Sequence, residues 1–239
     1  MKWKDYFCNR MALILCIETA TNNCSVALAK DGVCICTYNH PLANVHAAEL
    51  HGMVEKILQE TELNLSKIDA VAISKGPGSY TGLRVGVSAA KGFAYALGIP
   101  LIAINTLCSL TVIAQHQRPD PKALFIPMID ARRMEVYCAV LNAKMEFIQE
   151  TSALIIEENN FLNLNPGQAV YFFGNGAEKC SVILEQANIH FLPNIFCCAS
   201  GLTQLAEEAY QQKDFVNLAY FEPYYLKDFI GTQAKNNFF

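Results

Sequence analysis

"ALILCIETATNNCSVALAKDGVCICTYN", residues 12–39, reads as three strands in succession. The run "ALILCIET" is apolar without a break until Glu18, which suits a strand buried in a sheet. "CSVALAKDGVCICTYN" then sets two β-rich runs around Asp31-Gly32, a dipeptide that supplies the positive φ angles of a tight hairpin turn. The chain therefore opens on an antiparallel hairpin arrangement whose first strand ends in a carboxylate.

After Pro41 the period changes. Leu50, Met53, Val54, Ile57 and Leu58 fall at i, i+3, i+4, i+7 and i+8, the spacing of an amphipathic helix, with Asn44 the expected cap. "IDAVAIS" is the next strand. A helix is predicted from about Gly82 to Leu97, with Thr81 as N-cap, Gly98 at the C′ position and Pro100 beyond. "PLIAIN" is a fifth strand, followed by an apolar helix to about Gln115. The order is βββαβαβα.

The stretch "QHQRPDPK", residues 115–122, has two prolines and no periodicity, as a linker would. Beyond it "ALFIPMID" again ends in an acid, and "EVYCAVLN" and "EFIQETSALI" follow. A helix near Glu157 to Leu162, strand "AVYFFG", helix "AEKCSVILEQ", strand "IHFLP" and helix "LTQLAEEAYQQ" complete the same order. Two βββαβαβα halves predict an α/β, duplicated ribonuclease-H-like fold, the architecture of the actin, Hsp70 and sugar-kinase superfamily. The expected division is an extension over 1–10, an N-terminal lobe over 11–116, a C-terminal lobe over 117–222 and a tail over 223–239.

Composition bounds the function. Hydrophobic residues make up 52% and charged ones 17% of 239, which suggests more apolar surface than one monomer's core hides and so a protein partner. A net charge of −4 gives no broad footprint for nucleic acid. The ten cysteines contain no C-x-x-C and read as small hydrophobes in a reducing cytoplasm. The apolar run from Met11 to Ile17 is too short for a signal peptide core followed by a cleavage site, and no stretch reaches the ~20 apolar residues of a membrane span.

In the superfamily, ATP sits between lobes, with hairpin loops on phosphate and carboxylates on Mg²⁺. The matching positions here are Glu18, Thr19 and Thr21, and Asp130, Arg132 and Arg133. Both hairpins lack the close glycines that let backbone approach phosphate. Glu18 and Asp130 are thus either the Mg²⁺ carboxylates of an ATP-dependent enzyme or plain strand ends, solvated or paired with nearby arginine. "GNG", residues 174–176, is an adenosine loop or a strand-to-helix turn.

"SKGPGSYTGLRVG", residues 74–86, looks at first like a phosphate cradle. It fails the P-loop pattern, because Leu83-Arg84 stand where Lys and Ser or Thr are required. Gly82, Gly86 and Ala90 form a small-residue stripe that would let another backbone come close. The helix is apolar nearly all round, so it is covered on more than one side. The cover is either a neighbouring helix of the same domain or a second protein on a face shared with the 45–60 helix. For metal, His46 and His51 diverge by about 140° around a helix, and His46 with Glu49 lacks a third ligand.

"LCIETATNNCSVAL", "HAAELH", "GPGSYTGLRVGVSAAKGFAYALGIPLIAINTL", "MIDARRMEVYCAV" and "PYYLK" together resemble the TsaB family of bacterial tRNA threonylcarbamoyladenosine biosynthesis subunits, from about Met11 to Lys227. The resemblance implies a cytoplasmic, non-catalytic scaffold. It would bind its catalytic paralogue TsaD through the N-terminal lobes and act with the ATPase TsaE. The complex moves a threonylcarbamoyl group from its adenylate to the adenosine next to the anticodon of ANN-decoding tRNAs. TsaD holds a metal through an H-x-x-x-H pair whose counterparts here are Thr106 and Leu110. No cofactor is therefore expected in this chain, with ATP, Mg²⁺ and metal on the partner subunits, and a metallopeptidase reading has no ligands. The partner face implied is Leu50, Met53, Val54 and Ile57 on one helix and Leu83, Arg84, Val87 and Lys91 on the next. The same face could pair with itself in a homodimer, and tRNA would be met only through the complex. An ATP- and Mg²⁺-dependent enzyme using Glu18 and Asp130 is the alternative.

Overall fold

The computed structural model describes residues 12–40, 46–161, 164, 167–184 and 189–227. The extension over 1–10, the expected Asn44 cap and the tail beyond 227 lie outside them. The first half runs β1 (Leu13–Glu18), β2 (Cys24–Lys30), β3 (Val33–His40), α1 (His46–Glu60), β4 (Ala70–Gly76), α2 (Tyr80–Leu97), β5 (Leu101–Asn105) and α3 (Thr106–Gln117). The second runs β6 (Leu124–Asp130), β7 (Glu135–Asn142), β8 (Phe147–Ile155), β9 (Val170–Phe173), α4 (Ala177–Cys180), β10 (Ile189–Phe191) and α5 (Thr203–Gln212).

The two sheets share one topology. Their orders are β3-β2-β1-β4-β5 and β8-β7-β6-β9-β10, each with an antiparallel meander on one side and parallel strands on the other. β1 lies at the centre of the first, and all six of its residues are buried, which is why its sequence is unbrokenly apolar. Asp31 and Gly32 adopt φ of 55° and 73°, as a tight hairpin turn demands. The duplicated ribonuclease-H-like architecture is present as expected.

Local differences have local causes. α2 starts at Tyr80, capped by Ser79 rather than Thr81: the Ser79 hydroxyl accepts from the Gly82 N–H at 3.3 Å, and Ser79 itself is extended. Gly98 closes the helix in the left-handed region, as predicted. The predicted helix near Glu157 is absent among the described residues. There the Asn160 side chain accepts from the Glu157 N–H at 2.6 Å, the kind of local bond that competes with helix. Of the predicted 177–186 helix, the described residues form α-helix over Ala177–Cys180 alone.

The cores do not respect the expected boundaries. α3 puts Leu107, Leu110 and Ala114 into the second core with Phe125 and Phe173. Conversely Ala199, Leu202 and Ala206, from a short 3-10 turn and α5, cover Ile14, Cys16 and Ala27 of the first sheet. Residues 213–227 then return along the first lobe as a strap, where the Val216 N–H donates to the Leu101 carbonyl and the Tyr224 N–H to that of Lys75. A cut between 116 and 117 would strip each sheet of a helix that covers it. Among the described residues no helix is long and apolar enough to cross a membrane.

Candidate functional site

The end of β1 is sealed by the chain itself. Glu18 is fully buried; its Oε1 accepts from the Ala20 N–H at 2.6 Å and the Ser74 hydroxyl at 2.7 Å, while Oε2 has no hydrogen-bond partner among the described residues. Burial pushes its pKa up to about 7, against the opposing pull of those hydrogen bonds. Thr19 donates to the Gly82 carbonyl at 2.8 Å, and the Ser79 N–H donates to the Ala20 carbonyl at 2.7 Å. A Cβ added at Gly78, Gly82 or Gly86 would lie 2.3, 2.1 or 2.0 Å from Ala20 O, Thr19 O or Thr19 Oγ1 respectively. The small-residue stripe thus receives this chain's own β1–β2 turn, and the space that a phosphate would need is filled.

The matching turn of the second lobe is open. Asp130 is exposed, pairs with Lys179 and accepts from the Arg132 N–H at 3.0 Å. Lys179 also donates to the Arg133 and Glu135 carbonyls, both at 2.7 Å. Asn175 of "GNG" accepts from the Asp130 N–H at 3.1 Å, and a Cβ at Gly176 would lie 2.9 Å from Ile129 backbone. That segment is a packed strand-to-helix turn. A carboxyl held inside the protein and a carboxylate already paired with lysine do not fit a shared Mg²⁺.

The metal positions are equally occupied by structure. Thr106 is buried and accepts from the Gly76 N–H at 3.1 Å, and Leu110 lies in the second core. Among the described residues no group of three His, Cys, Asp or Glu side chains is placed to hold a metal. His51 packs on Phe93, their ring centroids 5.5 Å apart. The described cysteines are free thiols, and burial lifts Cys24 and Cys108 to about 11 and Cys138 to about 12, as expected of small hydrophobes rather than nucleophiles.

The expected partner face points the other way. Leu50, Met53, Val54, Ile57 and Val87 are buried in the core between these helices and the first sheet, and Leu83 is buried beside Gly76. Periodicity marked the side on which both helices rest on their own sheet, since that side is the apolar one. Arg84 and Lys91 do lie outside it, yet both hold the strap. The Arg84 guanidinium sits 4.3 Å from the Tyr80 ring centre and donates to the Tyr225 hydroxyl at 3.3 Å, and Lys91 donates to the carbonyls of Ala219 (3.3 Å) and Phe221 (3.1 Å).

The outward sides of α1 and α2 enclose an open apolar groove of about 700 Å³, lined by His51, Val85, Ser88, Ala89, Gly92 and Phe93 among others. A second depression of about 400 Å³ adjoins it at His51 and Phe93 and is lined further by Val54, Leu58 and Leu63. Gly52 and Gly92 stand inside these helices with nothing within 4 Å of an added Cβ. Interior helical glycine costs about 1 kcal/mol, and no contact among the described residues accounts for either. These glycines were the one sequence signal for the outward face.

The family model described as TsaD, tRNA N6-adenosine threonylcarbamoyltransferase, matches residues 41–230. The tRNA threonylcarbamoyladenosine biosynthesis protein TsaB of Haemophilus influenzae is 30% identical over 230 residues, 90% of this chain and 93% of that protein. The chain belongs to the TsaB family. The Escherichia coli TsaB is 37% identical over 126 residues, 53% of each chain. YeaZ from Pseudomonas aeruginosa superposes with a TM-score of 0.79 at 26% identity, covering 90% of this chain and 100% of its own. An activator of 2-hydroxyisocaproyl-CoA dehydratase from Clostridium difficile shares the fold alone, at TM-score 0.50 and 9% identity, over 86% of this chain and 98% of its own.

In this TsaB-family chain the recognisable segments converge. "ETAT" forms the β1 turn, "GPGSYTGLRVG" covers it, and "PYYLK" lies over the latter through the Tyr225 ring, 4.8 Å from that of Tyr80. Lys227 then reaches Glu135, just after "DARR". The segments form one chain of contacts, buried at the β1 turn and exposed at the strap, that spans both lobes.

Proposed function

We propose that the chain is a non-catalytic, cytoplasmic scaffold that binds TsaD through its first lobe. With TsaE, it supports formation of threonylcarbamoyladenosine next to the anticodon of ANN-decoding tRNAs. The sealed β1 turn carries this reading: Glu18, Thr19 and Ala20 are fully buried under residues 78–86, so the first-lobe position for nucleotide phosphate is taken by protein. ATP, Mg²⁺ and metal are assigned to the partner subunits.

The apolar α1–α2 groove, with the unexplained glycines Gly52 and Gly92, supports docking of a helical partner that approaches closely. The docking face keeps Leu50 and Arg84, which line the groove, and adds Val85, Ser88, Ala89, Gly92 and Phe93. In isolation the same groove would pair two copies by a two-fold axis.

Co-expression with TsaD followed by a transfer assay, with and without this chain, tests the reading. Transfer should require the chain. Equal transfer without it, or ATP and Mg²⁺ binding to the isolated chain that Asp130→Asn abolishes, would transfer support to the ATP-dependent enzyme.

A further inference from the structure

The overall charge of −4 conceals a cationic strip where the strap crosses from one lobe to the other. Arg84 contacts Tyr80 and Tyr225, the Tyr224 N–H donates to the Lys75 carbonyl, and Lys227 pairs with Glu135. Lys179 joins the Arg133 and Glu135 carbonyls and pairs with Asp130, while Lys227 and Arg132 both act on the Tyr137 hydroxyl. Side-chain contacts of Arg84, Lys179 and Lys227, main-chain bonds at Lys75 and Arg133, and the charge of Arg132 near Tyr137 place these six cations along the strap and the β6–β7 turn.

Within that strip the carboxylates are Asp130 and Glu135, each matched by a lysine. Among the described residues, Lys75, Arg84, Arg132 and Arg133 have no acidic partner. Glu150, which with Lys75 acts on Cys108, and Glu222, exposed on the strap, border the strip and leave its excess positive. Arg132 and Arg133 are exposed on successive left-handed residues, φ 70° and 47°, a backbone that side-chain-bearing residues disfavour. Tyr224, 39% exposed, adds a partly exposed ring on the strap beside Lys75, to whose carbonyl its N–H donates.

We propose that this strip binds the phosphodiester backbone of tRNA, a step that rests on the tRNA-modifying role argued above. Guanidinium forks match phosphate oxygens two at a time, and unpaired cations are the ones free to release counterions from RNA. Contacts of this kind position an RNA without reading its sequence. The strip lies apart from the α1–α2 groove except at Arg84, so RNA and a docked protein can be held together.

The test uses the chain in complex with TsaD and a fluorescent unmodified tRNA, titrated across a range of salt. The double variant Arg132→Asn, Arg133→Asn removes both charges with a residue that tolerates the left-handed backbone, so folding is preserved. The expected result is an intact complex whose tRNA Kd rises about tenfold or more and whose slope of log K against log salt falls by about one to two. Lys75→Gln should act in the same direction, less strongly. Unchanged tRNA affinity and slope in an intact complex would overturn the proposal, as would loss of ATP binding alone. If the unaltered chain neither co-elutes with TsaD nor supports transfer, the scaffold reading fails instead. The strip is then judged on salt-dependent tRNA binding by the isolated chain and its loss in the double variant.

Discussion

The Thr19 hydroxyl donates to the Gly82 carbonyl across 2.8 Å, and an added Cβ at Gly86, one helical turn on, would sit 2.0 Å from that same hydroxyl oxygen. Helix and turn are therefore locked at a separation only glycine permits. Gly86→Ala should lower unfolding free energy by roughly 1–3 kcal/mol through overpacking, whereas Gly92→Ala, with open space around it, should raise it by about 1 kcal/mol. Urea denaturation of both variants checks the contrast. Thr19→Ala should recover part of the Gly86→Ala loss, because it removes the atom in conflict.

The outward groove gives a sharper interface test than the buried stripe. Val87→Glu would place a charge in the first core, so lost binding could not be told from lost folding. Ser88 is exposed and lines the groove. Ser88→Glu should leave the isolated chain's stability within about 0.5 kcal/mol and weaken co-purification with TsaD at least tenfold. Full retention of TsaD by a folded Ser88→Glu chain would remove the groove from the interface.

The hairpin at Asp31-Gly32, the central strand ending at Glu18 and the Gly98 stop were legible because each is decided by neighbours in sequence. The direction of the partner face was not. Apolar periodicity reports the side a helix buries, so Leu50, Ile57 and Val87 identified the core, and only Gly52 and Gly92 hinted at what lies outside. The exchange of covering helices escaped for a different reason. Nothing in the periodicity of α3 or α5 says which of two similar sheets it will cover. "PYYLK" has no periodicity at all, and its order comes from Tyr80 and Lys75, far away in sequence.

The strap should be separable from the rest of the fold. Tyr225→Ala removes the ring packed on Tyr80 and should cost about 1–2 kcal/mol, while Tyr225→Phe, which keeps the ring and loses only the hydroxyl, should cost less. Limited proteolysis followed by mass spectrometry would show earlier cleavage within residues 213–227 for the alanine variant. Identical protection in both variants would mean that the main-chain bonds at Val216 and Tyr224, with those of Lys91 to Ala219 and Phe221, hold the strap without the Tyr225 ring.

Glu18 should make stability fall as pH rises. Its carboxyl is fully buried with Oε2 unpartnered among the described residues, and burial raises its pKa to about 7 from an ordinary 4.5, so the folded chain keeps a proton that the unfolded chain releases. The favourable contribution is whole below 4.5, declines between 4.5 and 7 and is gone above, with a total on the order of 3 kcal/mol. Glu18→Gln keeps an oxygen to accept from Ala20 and Ser74 and cannot ionise. The difference in melting temperature, variant minus unaltered chain, should therefore grow with pH across that window and level off beyond it, since all other titrating groups cancel. Cys24 and Cys197, the thiols that Glu18 acts on, are held protonated through the same range by burial and add no slope. A difference that stays flat from 4.5 to 7 would show that Glu18 is ionised in the folded protein, and a partner for Oε2 would then have to be found at the junction of β1 and β4.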